Sequence, residues 1–238
     1  MVVGKGMIAN AFLNYKDQAD IVFFASGVSN SKETNLTAFN REENLLKDYL
    51  GTHPEKLFVY FSTCSVYDPA ENESLYVKHK LKMEALIRNV SNKYLILRVS
   101  NVVGNSENKS IIFNFLVEHL LNNYHFTLWK NAYRNLIDIE DVKLLVISLI
   151  EKGSYNRIVN IANPTNIAVT EIVGTIEQFF KIKGNYTFVE KGANFCIDCG
   201  EIETIGNEIR SNFFQDYINL LLKKYYQRIH EQHSGQLF

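Results

Sequence analysis

Leu57-Phe58-Val59-Tyr60-Phe61, running into Ser62-Thr63-Cys64-Ser65-Val66-Tyr67, is the segment on which the fold turns. Unbroken apolar residues are the pattern of a strand buried on both faces, and the hydroxyl-rich residues after them mark its end. A helix is predicted from Leu75 to about Asn89 and a further strand over Tyr94 to Val99. Strand, helix and strand in that order return the chain to a parallel neighbour. The alternation continues upstream. Val2-Val3 reads as a very short strand, and Gly4-Lys5-Gly6-Met7-Ile8-Ala9 as a glycine turn into a helix carrying Ile8, Ala11, Phe12 and Tyr15 at helical spacing. Ile21 to Ala25 reads as a strand and Ser26 to Ser31 as a polar turn. A helix from Leu36 to Leu50 follows, with Phe39, Leu46 and Leu50 on one stripe. Buried strands alternating with helices predict an α/β architecture with a parallel sheet covered on both faces.

Downstream the pattern is less regular. Helices are predicted over Ser110 to Asn122, Glu140 to Lys152 and Thr170 to Lys181, with strands over Phe126 to Trp129 and Arg157 to Ile161. Asp198-Cys199-Gly200-Glu201 has capping-box spacing, and Gly206 is predicted to end that short helix from the C′ position. A last helix is expected from Phe213 to Ile229, and a frayed tail from Gln232 to Phe238.

Composition narrows the function classes. The 238 residues are 46% hydrophobic and 21% charged, enough for one substantial core. A net charge of −1, with no basic stripe interleaved with aromatics, argues against a nucleic-acid partner. No apolar run is long enough for a bilayer, so no membrane partner is expected. Met1-Val2-Val3-Gly4 leaves no room for a signal peptide, and three cysteines fit a reducing cytoplasm. Cys196 and Cys199 form a C-x-x-C with no second pair to complete a metal site, so no metal is expected. A redox role would need that pair at a helix start beside a strand.

Tyr76 and Lys80 stand one helical turn apart, and side chains at i and i+4 share a face. A phenol titrates near pH 10 when unperturbed, and a nearby ammonium favours its phenolate. The pair therefore suits proton transfer beside the hydroxyls that end the preceding strand. Read alone, it fits a solvated helix face equally well.

The motifs form an ordered series: Gly4 and Gly6; Phe24-Ala25-Ser26-Gly27; Phe39-Asn40 with Asn44-Leu45-Leu46; Ser62 to Tyr67; Tyr76 with Lys80; Leu97-Arg98-Val99-Ser100-Asn101-Val102-Val103-Gly104; Arg134 to Val142; and Asp198 to Gly206. In this order they resemble the extended short-chain dehydrogenase/reductase family, and within it the sugar-nucleotide epimerases and 4-ketoreductases. The resemblance implies a reduced, Rossmann-like doubly wound parallel sheet with a small C-terminal substrate-binding lobe. Residues 1–105 would form the nucleotide-binding core. Residues 106–230 would form a mixed lobe, not an independent domain, that returns strands and helices to the core, and residues 231–238 the frayed tail. NAD or NADP would be held by Gly4, Gly6, Met7, Ile8, Ala25, Ser26, Gly27 and Lys80. Thr63, Tyr76 and Lys80 would be catalytic, and Thr63, Asn101 and Arg134 would hold the substrate, with Arg134 on its diphosphate. The implied activity is epimerisation or 4-keto reduction of a nucleotide-linked sugar, in surface-polysaccharide precursor synthesis, by a possible homodimer. Family 4,6-dehydratases carry an acidic pair after the threonine. Cys64-Ser65 stands there, which disfavours dehydration.

The chain also departs from the family. Residues 7–20 leave room for one helix and a turn between Gly6 and Ile21, so the family's strands two and three are expected to be missing. Ile21 to Ala25 then matches strand four, or alternatively fills the place of strand two. No residue that would read the adenosine ribose is evident. The short segment from Thr63 to Tyr76 implies an open pocket, or one completed by a partner chain. The competing reading is a degenerate module that holds nucleotide or a partner enzyme without turnover. Asp138 stands where relatives often carry histidine, for a reason the sequence does not supply.

Overall fold

The computed structural model describes residues 1–208 and 216–235. In chain order the elements are β1 (Val2–Val3), α1 (Met7–Ala11), β2 (Ile21–Phe24), α2 (Leu36–Thr52), β3 (Leu57–Thr63), α3 (Leu75–Val90), β4 (Tyr94–Val99) and β5 (Asn101–Val103). There follow α4 (Ile112–Leu121), β6 (Phe126–Trp129), β7 (Tyr133–Arg134), β8 (Leu136–Asp138), α5 (Ile139–Glu151), β9 (Arg157–Ile161), β10 (Ile167–Ala168), α6 (Val169–Phe180), β11 (Tyr186–Val189), α7 (Gly200–Glu208) and α8 (Tyr217–Gly235).

The central sheet has the order β1-β2-β3-β4-β9, every pairing parallel. β2 lies between β1 and β3, which is the strand-four place and not the strand-two place. β1 is the edge of this sheet among the described residues, so the side where a full nucleotide-binding sheet continues into two more strands has no counterpart here. Three two-stranded ladders, β5 with β8, β7 with β10 and β6 with β11, build the smaller half.

Period-2 alternation in β3 explains how one strand serves two cores. Leu57, Val59 and Phe61 face α4, α5, α6 and α8, with Phe12 after α1 on the same side. Phe58 and Tyr60 face the other way, onto Leu46 and Leu50 of α2 and Met83 and Ile87 of α3. Each fully buried aliphatic or aromatic side chain contributes roughly 1.5–3 kcal/mol of burial. No helix among the described residues is long and apolar enough to cross a membrane.

Local chemistry sets the helix ends. Asn35 caps α2 by accepting from the Thr37 N–H, and Asp138 caps α5 by accepting from the Glu140 N–H. Asp198 accepts from the Gly200 N–H, but Glu201 reaches Arg157 instead of closing a capping box. Gly206 is buried inside α7, which runs to Glu208, so it does not terminate the helix. Of the predicted Phe213–Ile229 helix, residues 213–215 lie outside the described residues. α8 continues to Gly235, so the tail from Gln232 is helical to that point.

Candidate active site

The carboxyl ends of β2 and β3 and the first two turns of α3 converge. Thr63 closes β3 and caps a 3-10 turn, Cys64–Tyr67: its Oγ1 accepts from the Ser65 N–H (3.1 Å) and lies 3.0 Å from Ser65 Oγ. Tyr76 packs in an apolar group with Val28, Phe39 and Val77, and Val66 leans on it from the turn after Thr63. One turn later Lys80 points to the same side, its Nζ 5.9 Å from the centre of the Tyr76 ring. Gly27, in the turn after β2, meets it there. A methyl group at Gly27 would lie 2.5 Å from Lys80 Nζ.

Lys80 does not stand open to solvent. It is 2% exposed and its ammonium is hydrogen-bonded to Glu42 Oε1 (3.1 Å) and to the Tyr60 hydroxyl (3.2 Å). Glu42, 0% exposed, accepts from four groups: Tyr60 and Lys80 at Oε1, the Val28 N–H and the His79 ring at Oε2. Four partners fill the lone-pair sites of a carboxylate. Burial alone would raise the Glu42 pKa, but the charge of Lys80 and the bonds from His79, Val28 and Tyr60 outweigh it and hold the group below the usual carboxylate range. Burial, and then the charge of Glu42, keeps the Tyr60 phenol protonated well above its ordinary range, so Tyr60 serves as a donor.

A second buried carboxylate lies one turn further along α3. Glu84 accepts from Ser62 Oγ (2.6 Å) and takes Arg98 of β4 in two bonds, Nε at 3.0 Å and Nη2 at 2.7 Å. Arg98 also donates to the Tyr67 hydroxyl, which donates to Asn160 of β9. This chain of bonds ties the turn after Thr63 to three neighbouring strands.

The predicted cofactor residues divide into two groups. Gly4 has φ +132°, a conformation glycine alone adopts readily, and a methyl group there would lie 2.4 Å from the Ala25 carbonyl oxygen. Its glycine therefore lets the first turn pack on the second. Gly6 has φ −81° and open space around its missing side chain, so sterics do not demand glycine there. Met7 packs toward Gly104, Ile8 packs onto the core, and α1 is only 5 residues long. Ser26 is held by Arg41, which bonds both its hydroxyl and its carbonyl.

Of the predicted substrate residues, Thr63 ends β3 of the central sheet, and Asn101 and Arg134 lie on the smaller ladders. Asn101 spans from β5 to the Asn135 carbonyl through its backbone and its side chain. Arg134 in β7 turns Nη1 onto the Tyr133 carbonyl (2.7 Å). Asp138 now has an explanation: it accepts from Lys224 (2.6 Å) and Tyr225 (2.5 Å) and so anchors α8 to the start of α5. Cys64 and Cys199 are buried. Burial pushes both thiols up, Cys199 to about 11 with help from Asp198, which disfavours thiolate chemistry.

Glu42, Tyr60 and His79 are the residues that sequence reasoning missed. A signal was present for the first: Glu42 falls on the buried stripe of α2 between Phe39 and Leu46. A carboxylate on an apolar stripe announces a buried partner.

Comparison with known proteins adds to this geometry. The model of the NAD dependent epimerase/dehydratase family matches residues 8–162. A search of curated proteins finds no match. Among solved structures, UDP-glucose 4-epimerase from Thermus thermophilus in complex with NAD is similar, with a TM-score of 0.68 at 15% identity, covering 91% of this chain and 81% of that one. UDP-glucuronic acid 4-epimerase from Bacillus cereus, in complex with UDP-glucuronic acid and NAD, gives 0.66 at 16% identity over 98% and 80%. RMD from Pseudomonas aeruginosa, complexed with NADPH, gives 0.61 at 15% identity over 76% and 71%. At such identities the likeness concerns the fold.

Proposed function

Since the chain belongs to the NAD dependent epimerase/dehydratase family, we propose that it is an NAD(P)-dependent enzyme acting on a nucleotide-linked sugar, as an epimerase or 4-ketoreductase. The observation that carries the proposal is the meeting of Tyr76 and Lys80 with Gly27 at the carboxyl ends of β2 and β3. In open α/β sheets ligands bind outside those ends. The bare backbone at Gly27, beside a cation, suits the ribose of a nicotinamide nucleotide, whose chemistry when bound is to accept and return a hydride. Lys80 would hold ribose hydroxyls, and Gly4, Gly6, Met7, Ile8, Ala25 and Ser26 would offer backbone to the phosphates. Tyr76 would pass a proton to or from the sugar oxygen that changes oxidation state, with Thr63 donating a hydrogen bond to the same oxygen. Asn101 and Arg134 would grip the substrate, where Arg134 supplies a planar donor fork to the diphosphate. Residues 1–105 would hold the cofactor and residues 106–230 the sugar nucleotide. The resemblance suggests surface-polysaccharide precursor synthesis in the cytoplasm as the setting. The resemblance also implies pairing of two copies through the helix that carries Tyr76 and Lys80.

A second reading has its own observation. Lys80 is almost fully buried on Glu42 and Tyr60, and among the described residues β1 is the sheet edge on the side where an adenosine half would continue. Both favour a module that holds nucleotide or a partner enzyme without turnover. Titration of NADH and NADPH against wild type and Lys80→Ala, followed by fluorescence quenching, separates the readings when joined to a product assay on UDP- and dTDP-hexoses. Saturable binding markedly weakened in the variant, with interconversion of a hexose, supports the enzyme. Binding without conversion of any sugar nucleotide favours the module.

A further inference from the structure

We propose that Glu42 is a positioning residue for Lys80: it fixes the ammonium against the Gly27 turn and leaves one N–H to meet a ligand. The inference rests on the functional reading above and concerns how this particular site is built.

Lys80 has three N–H donors. One goes to Glu42 Oε1 and one to the Tyr60 hydroxyl. The third has no partner among the described residues, and the Gly27 turn is packed against the same ammonium, since a methyl group there would lie 2.5 Å from Nζ and 2.8 Å from Glu42 Oε1. A flexible lysine stem would otherwise sample many rotamers, and burying its charge without a partner would be costly. Glu42 removes both difficulties. Its second oxygen is tied to the Val28 N–H at 2.6 Å, so the carboxylate is referenced to the backbone of the same turn that carries Gly27. His79 closes the remaining site at 3.1 Å. One side chain of α2 thus sets the distance between α3, β3 and the turn after β2. The titratable groups facing Lys80 are Glu42 from α2, Tyr60 from β3, and Tyr76 and His79 from α3, while the β2 turn contributes only backbone. Glu42 is the acidic group among them, so its removal leaves the ammonium without a counter-charge.

The test measures NADH and NADPH affinity by fluorescence across about pH 6 to 9, on wild type, Glu42→Gln, Lys80→Met and the double variant, with a thermal melt on each. The expected wild-type affinity is flat over that range. Glu42→Gln should bind progressively more weakly as pH rises, by about tenfold at the alkaline end, because a buried ammonium without a counter-charge gives up its proton. In the Lys80→Met background, Glu42→Gln should cause no further loss. A residue needed only for folding would weaken both backgrounds alike and would not tilt the pH profile. If Glu42→Gln unfolds, the comparison of Lys80→Met with the double variant still decides, since neither carries an unpaired buried ammonium and the carboxylate in Lys80→Met keeps its bonds from Val28, Tyr60 and His79. Equal affinities there support the proposal. An additional loss there, or an unchanged pH profile in a folded Glu42→Gln, overturns it. Failure of wild type to bind either nucleotide overturns the functional reading itself, and is thereby told apart from failure of Glu42 alone.

Discussion

Between β3 and β4 the chain lays down a 16-residue helix, whereas between β1 and β2 it manages 5 residues of helix and a 3-residue 3-10 turn. Both crossovers lead to a parallel neighbour, yet they carry different cargo. The long one buries Tyr76, His79, Lys80 and Glu84 on one side, each given partners by β3, β4 or α2. The short one buries only Ala9 within its helix and uses its glycine at position 4 to clear the Ala25 carbonyl. The polar machinery is thus concentrated on the side where a nicotinamide and a sugar would meet. The side that would read adenosine is reduced to packing. A crossover too short for further strands keeps the sheet edge but loses the wall built on it.

The largest expected effect tests the long crossover. Tyr76→Phe should lower kcat by about 10²–10⁴-fold while nucleotide affinity stays near wild type, as a lost proton donor requires. Steady-state turnover alongside a binding titration checks it, and full activity would remove Tyr76 from the chemistry. Arg98→Met should cost about 3 kcal/mol in urea unfolding, because Glu84 is left as a buried carboxylate with only Ser62. A loss as small as that of a surface change would mean that the pair adds little to the second crossover.

The short crossover should respond more to Gly4→Ala than to Gly6→Ala. The first forces a side chain into φ +132° against Ala25, at about 2 kcal/mol or more. The second should cost about 1 kcal/mol or less, because alanine is a poorer N-cap than glycine but meets no neighbouring atom there. If Gly6→Ala abolished nucleotide binding at unchanged stability, the first turn would grip phosphate after all and the contrast would break.

Acid should act through Glu42. Its carboxyl is held below the usual range in the folded protein, so the stability it contributes is complete above its unfolded pKa, about 4.5, and is lost as pH falls below that. Urea melts from neutral pH downward should show a shallower acid loss in Glu42→Gln than in wild type. The smallest effect concerns cofactor choice: NADH and NADPH affinities should agree within about threefold, because no strand beyond β1 is present among the described residues to read the 2′ position.

Much of this was legible in residue order. The apolar runs of β2, β3 and β4 and the spacing of Tyr76 and Lys80 located the sheet and the candidate pair, because a buried strand or an i, i+4 pair is a local property. Gly206 misled, since a glycine near a helix end looks like a stop whether or not the helix continues past it. Asp138 and Glu42 were opaque for another reason. Their partners, Lys224 and Lys80, come from distant parts of the chain, so a carboxylate on an apolar stripe announces that a buried partner exists but not which residue it is.

By itself, then, the order of residues determined that this protein alternates strands with helices, turns on glycine before β2, and carries a phenol and an amine on one helical face. Those features depend on backbone propensity and on repeat spacings of two and 3.6 residues. Only the tertiary structure decided that β2 sits between β1 and β3, and that the amine is clasped by Glu42 and Tyr60. Strand order and buried ion pairing are settled by which surfaces meet when the layers close, and those contacts join residues too far apart along the chain for any local pattern to encode.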